Sequence, residues 1–358
     1  MRKTRRINKN KKNKTIKKNF KTIKITDKFE SGNIKVIDQK HNLINLEIKN
    51  EPYPKHIKKK FQNWFYFKVC NIKNKSTIFK INKVNNYDND WKGFNVCYSY
   101  DNKNWKRHNT QLKNNNLIWK IKPKKNIIWF AYYPPYPFSK SKKLFKGSKI
   151  IGRTNDKNPI LMKKCGYGPK KVWLISGQHS GETINSWMLE GFYKRMLERK
   201  NKLYKKYTFY IIPNANPDGN QRGHWYVTSK GINLNRDWDK FKSPETRAIK
   251  KQIDKIGYYL VLDLHGDEGT KNHFLVELTN KHPIFDIFNK KLNQKNKHFQ
   301  LENYYKGSYM KEVNDTLDEY TMGITVEGAM KHKLFNHKTI QDESIKIGKD
   351  IADILEEI

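Results

Sequence analysis

Cysteine is scarce in this sequence. The 358 residues contain only Cys70, Cys97 and Cys165, an odd set that includes no CxxC pair. Such a set excludes a disulfide framework and fits a reducing compartment, so we expect a cytoplasmic protein.

Long apolar runs are missing as well. No stretch approaches the roughly 20 apolar residues that a membrane-spanning helix needs. The basic N-terminus MRKTRRINKNKKNKTIKK is not followed by the apolar segment of a secretory signal. We expect no membrane partner and a disordered basic tail over residues 1–25, although such a tail could also bind acidic surfaces or act as a nuclear address.

Acidic residues are few relative to basic ones. Lys and Arg total 74 against 34 Asp and Glu, which gives a formal net charge of +40. A basic excess can neutralise phosphates, but this one is spread along the chain and is mostly Lys, beside abundant Asn, Ile and Tyr. A bias towards A+T-rich codons produces the same mixture. No recognition helix, zinc finger or aromatic RNA-binding strand is evident, so we expect no specific nucleic-acid partner.

The residues that are present form two patterns, at a length that suits two domains. Over residues 26–140, short aromatic and β-branched runs alternate with Asn, Asp, Lys and Gly turns, which predicts an antiparallel β-sandwich. Pro134, Pro135 and Pro137 then stop strand structure. The predicted strands lie at 63–69, 76–81, 94–100, 117–121 and 127–133, with a hairpin turn at 101–104.

Over residues 145–358 the pattern becomes strand, loop, helix. Helices are predicted to begin near Ile184, after an N-cap at Ser243, and again near the C-terminus. The alternation predicts an α/β domain with a mostly parallel sheet covered by helices on both faces, and ligands in such folds bind beyond the carboxyl ends of the strands. The predicted buried strands lie at 172–175, 208–212, 259–264 and 324–326.

Two histidines and a glutamate fall at these strand ends. GQHSGET places His179 and Glu182 three residues apart at a strand-to-helix turn, and LHGDEG places His265 at the end of another strand. Two histidines, a carboxylate and an open fourth position form a ligand set of catalytic Zn²⁺, so we predict one zinc ion per chain. A lone HxxE is also common on protein surfaces, and His265 could instead be a core histidine bonded in a turn.

Further polar residues accompany this predicted zinc site. Glu327, at the finish of the strand in MGITVEGAM, could take a proton from zinc-activated water and pass it to the leaving amine, or be an ordinary solvated charge. The stretch 213–238 is predicted to be an ordered loop and not a helix, because of its Asn-Pro-Asp-Gly turn and Gly231. Its last residues include Asn235 and Arg236, which suit the grip of a carboxylate, although Arg236 could equally form a structural salt bridge.

In this order, HSGE, NPDG, GINLNRDW, DLHG and TVEGA resemble the zinc carboxypeptidase family, specifically its cytosolic carboxypeptidase-like branch. FESGN, NWFYFKV, YSYDNKNWKRH and FAYYPPYPFS resemble the N-terminal sandwich domain of that branch, so the resemblance covers roughly residues 28 to 340. It implies a carboxypeptidase-type fold for the second domain. The site residues that it implies are His179, Glu182 and His265 as zinc ligands, Glu327 as general base, and Asn235 and Arg236 as the grip on the substrate's C-terminal carboxylate.

One position departs from the family pattern. Related sequences carry an arginine just before the position of Val227, where it polarises the scissile carbonyl, whereas this chain has Tyr226. A cation aimed at a developing oxyanion is worth a few kcal/mol, or about a hundredfold in rate. Arg222, four residues earlier, is the candidate to take this catalytic role.

The family resemblance also bears on specificity. Members that remove glutamate carry an arginine in a segment that aligns with GSYMKEV, where this chain has Lys311. Lys311 would favour an acidic substrate side chain, or it is an ordinary surface lysine. Tyr309 is the candidate for the family's substrate-capping tyrosine, with Tyr304 and Tyr305 as alternatives.

Two hypotheses of function follow. The first is a carboxypeptidase that trims acidic, glutamate-type residues from peptides or protein tails, including polyglutamylated ones; tubulin is the family's known type of target, and a general peptide or peptidoglycan substrate would leave the same signature. The second is a zinc-binding pseudoenzyme that recognises acidic C-termini without cleaving them. Tyr226 favours the second hypothesis, and the intact Glu327 with three ligands favours the first.

Overall fold

The computed structural model describes residues 22–84, 91–276, 281–301, 316–321, 323–331 and 339–358. Within this part of the chain, none of the helices is both long and apolar enough to cross a bilayer. The first half contains the strands β1 (Lys24–Thr26), β2 (Lys35–Lys40), β3 (Leu43–Glu47), β4 (Tyr66–Cys70), β5 (Thr77–Ile81), β6 (Val96–Ser99), β7 (Lys106–His108), β8 (Gln111–Lys113), β9 (Asn116–Ile121) and β10 (Ile127–Ala131).

These strands form two five-stranded sheets, in the orders β1-β4-β10-β6-β7 and β2-β3-β5-β9-β8. All pairs are antiparallel except β3 and β5, because the chain leaves the second sheet to form β4 in the first and returns by a crossover, as parallel pairing requires. The predicted sandwich is confirmed with this one parallel pair, and the five predicted strands correspond to β4, β5, β6, β9 and β10.

Aromatic side chains fill the space between the two sheets. Residues of β5 alternate between buried and half-buried, so that Phe79 faces inward. Its ring stacks on Trp119 of β9 at 5.4 Å between centroids, and Phe130 of β10 reaches it from the opposite sheet at 5.0 Å. These ring contacts join the two sheets into one core.

The predicted hairpin turn at residues 101–104 is also confirmed, because β6 and β7 on either side of it pair antiparallel. Asp101 Oδ1 accepts the backbone N–H groups of Lys103 at 2.9 Å and Asn104 at 2.8 Å. Asn102 has a φ of 59°, a left-handed conformation that asparagine tolerates.

The second half adds strands and helices in alternation. Helix α1 covers the segment where the sequence places the domain boundary, and the limits 26–140 and 145–358 remain predictions. The elements are α1 (Phe138–Leu144), β11 (Lys149–Arg153), β12 (Pro159–Gly166), β13 (Lys170–Ser176), α2 (Ile184–Glu198), α3 (Lys200–Lys206), β14 (Tyr207–Ile212), α4 (Pro217–Arg222), α5 (Pro244–Ile256), β15 (Leu260–Asp267), β16 (Phe274–Val276), α6 (Phe285–Lys295), α7 (Leu317–Thr321), β17 (Ile324–Ala329) and α8 (Ile340–Glu357).

Seven of these strands form one mixed sheet in the order β11-β12-β14-β13-β15-β17-β16. The central strands β14, β13, β15 and β17 run parallel, whereas β11, β12 and β16 pair antiparallel at the two sides. The predicted α/β fold is confirmed. The carboxyl ends of the central parallel strands therefore meet at one edge, where the motif residues follow.

Helices cover both faces of this sheet, as predicted. On β13, Val172 and Leu174 belong to the core that includes α2 and α8, whereas Trp173 and Ile175 face the core that includes α5. Helix α5 begins after the predicted N-cap, since the Ser243 side chain accepts the N–H of Thr246.

The interpretation of residues 213–238 as loop throughout is wrong for α4 and for a 3-10 helix at Leu234–Arg236. Asn216 caps α4 by accepting the N–H of Gly219 at 3.0 Å, and Pro217 occupies the first helical position, which suits proline. Gly223 ends the helix with a φ of 69°. The Asn-Pro-Asp-Gly run, taken as a turn, is a helix start.

Candidate active site

Three predicted ligands lie together at the carboxyl edge of the sheet. His179 follows β13, Glu182 precedes α2, and His265 lies in β15. One ligand atom from each lies within 4.8 Å of the others. Glu182 Oε1 is 2.7 Å from His179 Nδ1, and its Oε2 is 3.1 Å from His265 Nδ1. All three side chains are buried, so the three predicted ligands form one enclosed cluster that could hold a metal ion.

The remaining ring nitrogens of the two histidines each face an oxygen. His179 Nε2 lies 2.9 Å from Asn233 Oδ1, and His265 Nε2 lies 3.0 Å from Asp263 Oδ2. A histidine whose Nε2–H donates to such an oxygen presents the lone pair of Nδ1 to the metal. The donor set therefore fits Zn²⁺, which takes two imidazole nitrogens and a carboxylate in catalytic sites. Sequence reasoning missed Asn233 and Asp263, although both stand inside recognised motifs.

Electrostatics favour positive charge at this point. Burial alone would raise the pKa of Glu182, but the neighbouring His179 and His265 lower it to about 2. Burial would lower the pKa of His265, yet the carboxylates of Asp263 and Glu182 raise it well above its usual range. A divalent cation bound to the Nδ1 atoms would supply the charge that these carboxylates favour.

Glu327 stands beside this cluster on the adjacent parallel strand, where β17 pairs Glu327 with His265 of β15. Its side chain is buried, and among the described residues Oε2 has no hydrogen-bond partner. Burial raises the pKa of Glu327 well above its usual range, with His265 opposing the shift and Glu182 adding to it. A carboxyl group whose pKa is raised in this way is suited to accepting and returning a proton.

Asn235 and Arg236 reach the same edge through the short 3-10 helix. The backbone N–H of Asn235 donates to Asn233 Oδ1 at 2.9 Å, the same oxygen that faces His179. Asn235 Oδ1 is buried without a hydrogen-bond partner among the described residues, and Arg236 Nη1 donates to the Asn235 carbonyl at 2.6 Å. The pair is thus tied to the histidine cluster.

The structure places Arg222 elsewhere. It ends α4 with a largely exposed side chain, and its Nε lies 2.6 Å from Asp156 Oδ2 in an ion pair. That pair raises the pKa of Arg222. No hydrogen bond or ion pair in the described part of the chain joins it to the three ligands, so its catalytic role stays a prediction without structural support.

Tyr226, in contrast, belongs to the site. Its ring stacks on His179 with 3.8 Å between centroids and 16° between planes. Phe61 from the first domain packs against the Tyr226 ring, with 5.0 Å between the ring centroids. An aromatic ring therefore lies where the family pattern has an arginine.

The residues predicted to select the substrate cannot be placed in this way. Lys311 and Tyr309, together with the alternatives Tyr304 and Tyr305, lie outside the described residues.

Comparison with known proteins agrees with this geometry. The sequence model of the zinc carboxypeptidase family matches residues 144–341, and that of the cytosolic carboxypeptidase N-terminal domain matches residues 25–133. A metallo-carboxypeptidase from Burkholderia cenocepacia has a similar structure, with a TM-score of 0.83 and 25% identity over 93% of this chain and 98% of its own.

Two relatives extend the comparison. An uncharacterized protein of Zymomonas mobilis is 32% identical over 71% of this chain and 70% of its own length. Cytosolic carboxypeptidase 1 of Xenopus laevis is 22% identical over 74% of this chain, which spans only 27% of that longer relative.

The match over more than half of its length means that the chain belongs to the zinc carboxypeptidase family, a family of metallocarboxypeptidases. Its N-terminal domain is the one found in the cytosolic carboxypeptidases. The resemblance drawn from the five motifs is confirmed.

Proposed function

We propose that this chain is a zinc-dependent carboxypeptidase that removes C-terminal residues from peptides or protein tails. The observation that supports it best is the convergence of His179, Glu182 and His265: one ligand atom of each lies within 4.8 Å of the others, and both Nδ1 atoms contact the Glu182 carboxylate. These three residues would hold about one zinc ion per chain. Bound there, zinc would polarise the scissile carbonyl and make water more acidic.

The protein's own residues divide the remaining work. Glu327, buried and with a raised pKa, accepts the proton of the attacking water and returns it to the leaving amine. Asn235 and Arg236 bind the substrate's terminal carboxylate, because an amide and a guanidinium both donate to carboxylate oxygens. This grip restricts cleavage to the last residue of a chain.

We further propose that the preferred substrates are acidic, glutamate-type tails met in the cytoplasm, including polyglutamylated ones. The net charge of +40 favours acidic partners. A basic stretch of the first domain supports this locally, because Lys59 Nζ lies 5.0 Å from the Phe61 ring, which contacts Tyr226. Lys311 is the proposed cation of the specificity pocket.

One observation favours a second candidate, a zinc-binding pseudoenzyme. The Tyr226 ring covers a face of His179, while Arg222 is paired with Asp156. Neither position therefore offers a cation that would stabilise the developing oxyanion. Such a protein would bind acidic C-termini without cleaving them.

The test is kcat/KM of the zinc-loaded chain on matched peptides ending in Glu, Phe or Lys, read by the mass released. We expect Glu to be preferred and Lys311→Ala to reduce that preference at least tenfold, as loss of one partner of a buried charge pair costs roughly 2 kcal/mol or more. Lys200→Ala, on the far helix α3, serves as the matched control. A preference for Phe, or one that survives Lys311→Ala, would remove the acidic-substrate assignment.

Zinc content tests the metal site that both candidates share, and peptide cleavage separates the enzyme from the pseudoenzyme. Zinc content should be about one ion per chain and should drop sharply in His179→Ala. If the wild-type chain cleaves no peptide but Tyr226→Arg creates activity, the pseudoenzyme is correct, because the added cation supplies the missing stabilisation of the transition state.

A further inference from the structure

A single carboxylate of the first domain reaches into the second. Among the described residues between 22 and 140, Glu51 is the only acidic or basic side chain that is buried. It follows β3 in the connection to β4 and contacts a backbone stretch roughly 175 positions further along the chain. A carboxylate is costly to bury unless hydrogen-bond donors compensate it, so its surroundings require an explanation.

Three consecutive backbone N–H groups supply those donors. Glu51 Oε1 accepts from Trp225 at 2.5 Å, and Oε2 accepts from Tyr226 at 3.1 Å and Val227 at 3.2 Å. Three successive N–H groups that donate to one carboxylate must all point towards it. These charge-assisted bonds therefore restrict the backbone dihedral angles of the three residues. The segment Trp225–Val227 therefore has its conformation set by the other domain.

The same segment is held from the metal side. The carbonyl of Trp225 accepts the N–H of Gly181 at 2.8 Å, and Gly181 lies between the ligands His179 and Glu182. A Cβ atom at Gly181 would lie 2.4 Å from the Trp225 side chain, so the two stretches touch without spare room. Fixing the segment places the Tyr226 ring on His179 at 3.8 Å.

We propose that Glu51 is a positioning residue for the active site: it holds Trp225–Val227 so that Tyr226 stacks on His179. The proposal rests on the proposed function for its kinetic part only. Burial raises the pKa of Glu51 to about 7, and the hydrogen bonds from Trp225, Tyr226 and Val227 oppose that shift, so the carboxylate that accepts the three bonds predominates above that pH. The first domain thereby contributes to the active site through a residue that does not touch the substrate.

The direct test measures backbone hydrogen exchange of Trp225–Val227 by mass spectrometry in the full, zinc-loaded chain. Glu51→Gln should speed exchange there on the order of tenfold or more. The glutamine side chain is uncharged and has one acceptor oxygen, whereas the carboxylate has two. Glu47→Gln, a half-buried glutamate paired with Lys35, should leave it unchanged. Equal exchange in Glu51→Gln and wild type would overturn the proposal. If Glu51→Gln does not fold, Glu51→Asp replaces it and should show the same local change.

The kinetic test is a double-mutant cycle between Glu51→Gln and Tyr226→Ala. If Glu51 acts through Tyr226, Glu51→Gln lowers kcat on its own and has little further effect once Tyr226 is alanine. Fully additive effects would mean that Glu51 has only a general structural role and would overturn the proposal. A wild-type chain that cleaves no peptide defeats the proposed function instead, and the exchange measurement then decides on Glu51 alone.

Discussion

The two domains bury different kinds of side chain. In the sandwich, rings such as Phe79, Trp119 and Phe130 fill the core, and Glu51 is the only buried acidic or basic group among the described residues. In the catalytic domain, buried His and acidic residues are numerous, and four of them lie at the carboxyl ends of β13, β15 and β17: His179, Glu182, His265 and Glu327. The first core is therefore built for stability, whereas the second accepts the cost of buried charge where the chemistry is proposed to occur.

A substitution at Glu327 gives the strongest test of this difference between the two domains, because it should change activity and not stability. Glu327→Gln keeps the shape of the side chain but removes its ability to carry the proton, so turnover should fall by about 10² to 10⁴. Zinc content and unfolding temperature should remain close to wild type, since Glu327 is not assigned as a ligand. Metal analysis beside steady-state kinetics checks this. Activity within a few-fold of wild type would mean that another residue is the base.

A substitution in the core of the sandwich should have the opposite effect, lowering stability without changing the metal site. Phe130→Ala removes a ring that contacts Phe79 and lies in the shared core, so the free energy of unfolding should fall by about 3 to 5 kcal/mol. Denaturant unfolding measures the loss, and zinc affinity of the folded fraction should stay unchanged. A large loss of zinc affinity with little destabilisation would contradict the division between the domains.

Glu245 tests the cost of buried charge away from the site. Burial, with Asp218 and Asp237 nearby, raises its pKa from 4.5 to about 7. Between these values the folded state keeps a proton that the unfolded state has released, so the contribution of Glu245 to stability falls as pH rises from 4.5 to 7 and then levels off. Glu245→Gln should therefore be more stable than wild type at pH 8, by up to about 3 kcal/mol.

The measurement for Glu245 is the free energy of unfolding of wild type and variant across this pH range. Glu198→Gln, at an exposed glutamate paired with Arg195, provides the control and should show no such difference. A difference that does not vary with pH would mean that the pKa of Glu245 is the same in the folded and unfolded states.

The smallest expected effect concerns the partner of a ligand. Asp263→Asn keeps an oxygen near His265 Nε2 but removes the charge, and loss of such partners costs about 10- to 100-fold in metal affinity. Chelator competition measures it. Unchanged affinity would show that Asp263 serves the core and not the zinc site.

Sequence alone located much of this site because its ligands sit in short motifs at strand ends. His179, Glu182, His265 and Glu327 could be named from local pattern and family resemblance, and the structure brings them together. The neighbours that orient them were missed. Asn233 lies 54 positions from His179, and no periodicity in a sequence connects two such residues.

The errors in the fold have similar causes. The Asn-Pro-Asp-Gly run predicts a turn but begins α4, because the same run serves both structures and only tertiary packing selects the helix. The parallel pairing of β3 with β5 depends on where β4 goes, which is a long-range choice. Strands β11, β12 and β16 lie towards the sides of the sheet, where weaker apolar runs suffice.

The first-domain carbonyl of Pro134 accepts hydrogen bonds from Thr183 and from the Trp187 indole, both on the second domain, and the Tyr132 ring packs on Trp225 at 4.8 Å. The two domains are consequently joined by a packed interface and not by a solvated hinge. A proteolytic nick near residue 140 would then leave two fragments that stay associated, and the chain should melt in a single cooperative transition that neither half can undergo by itself.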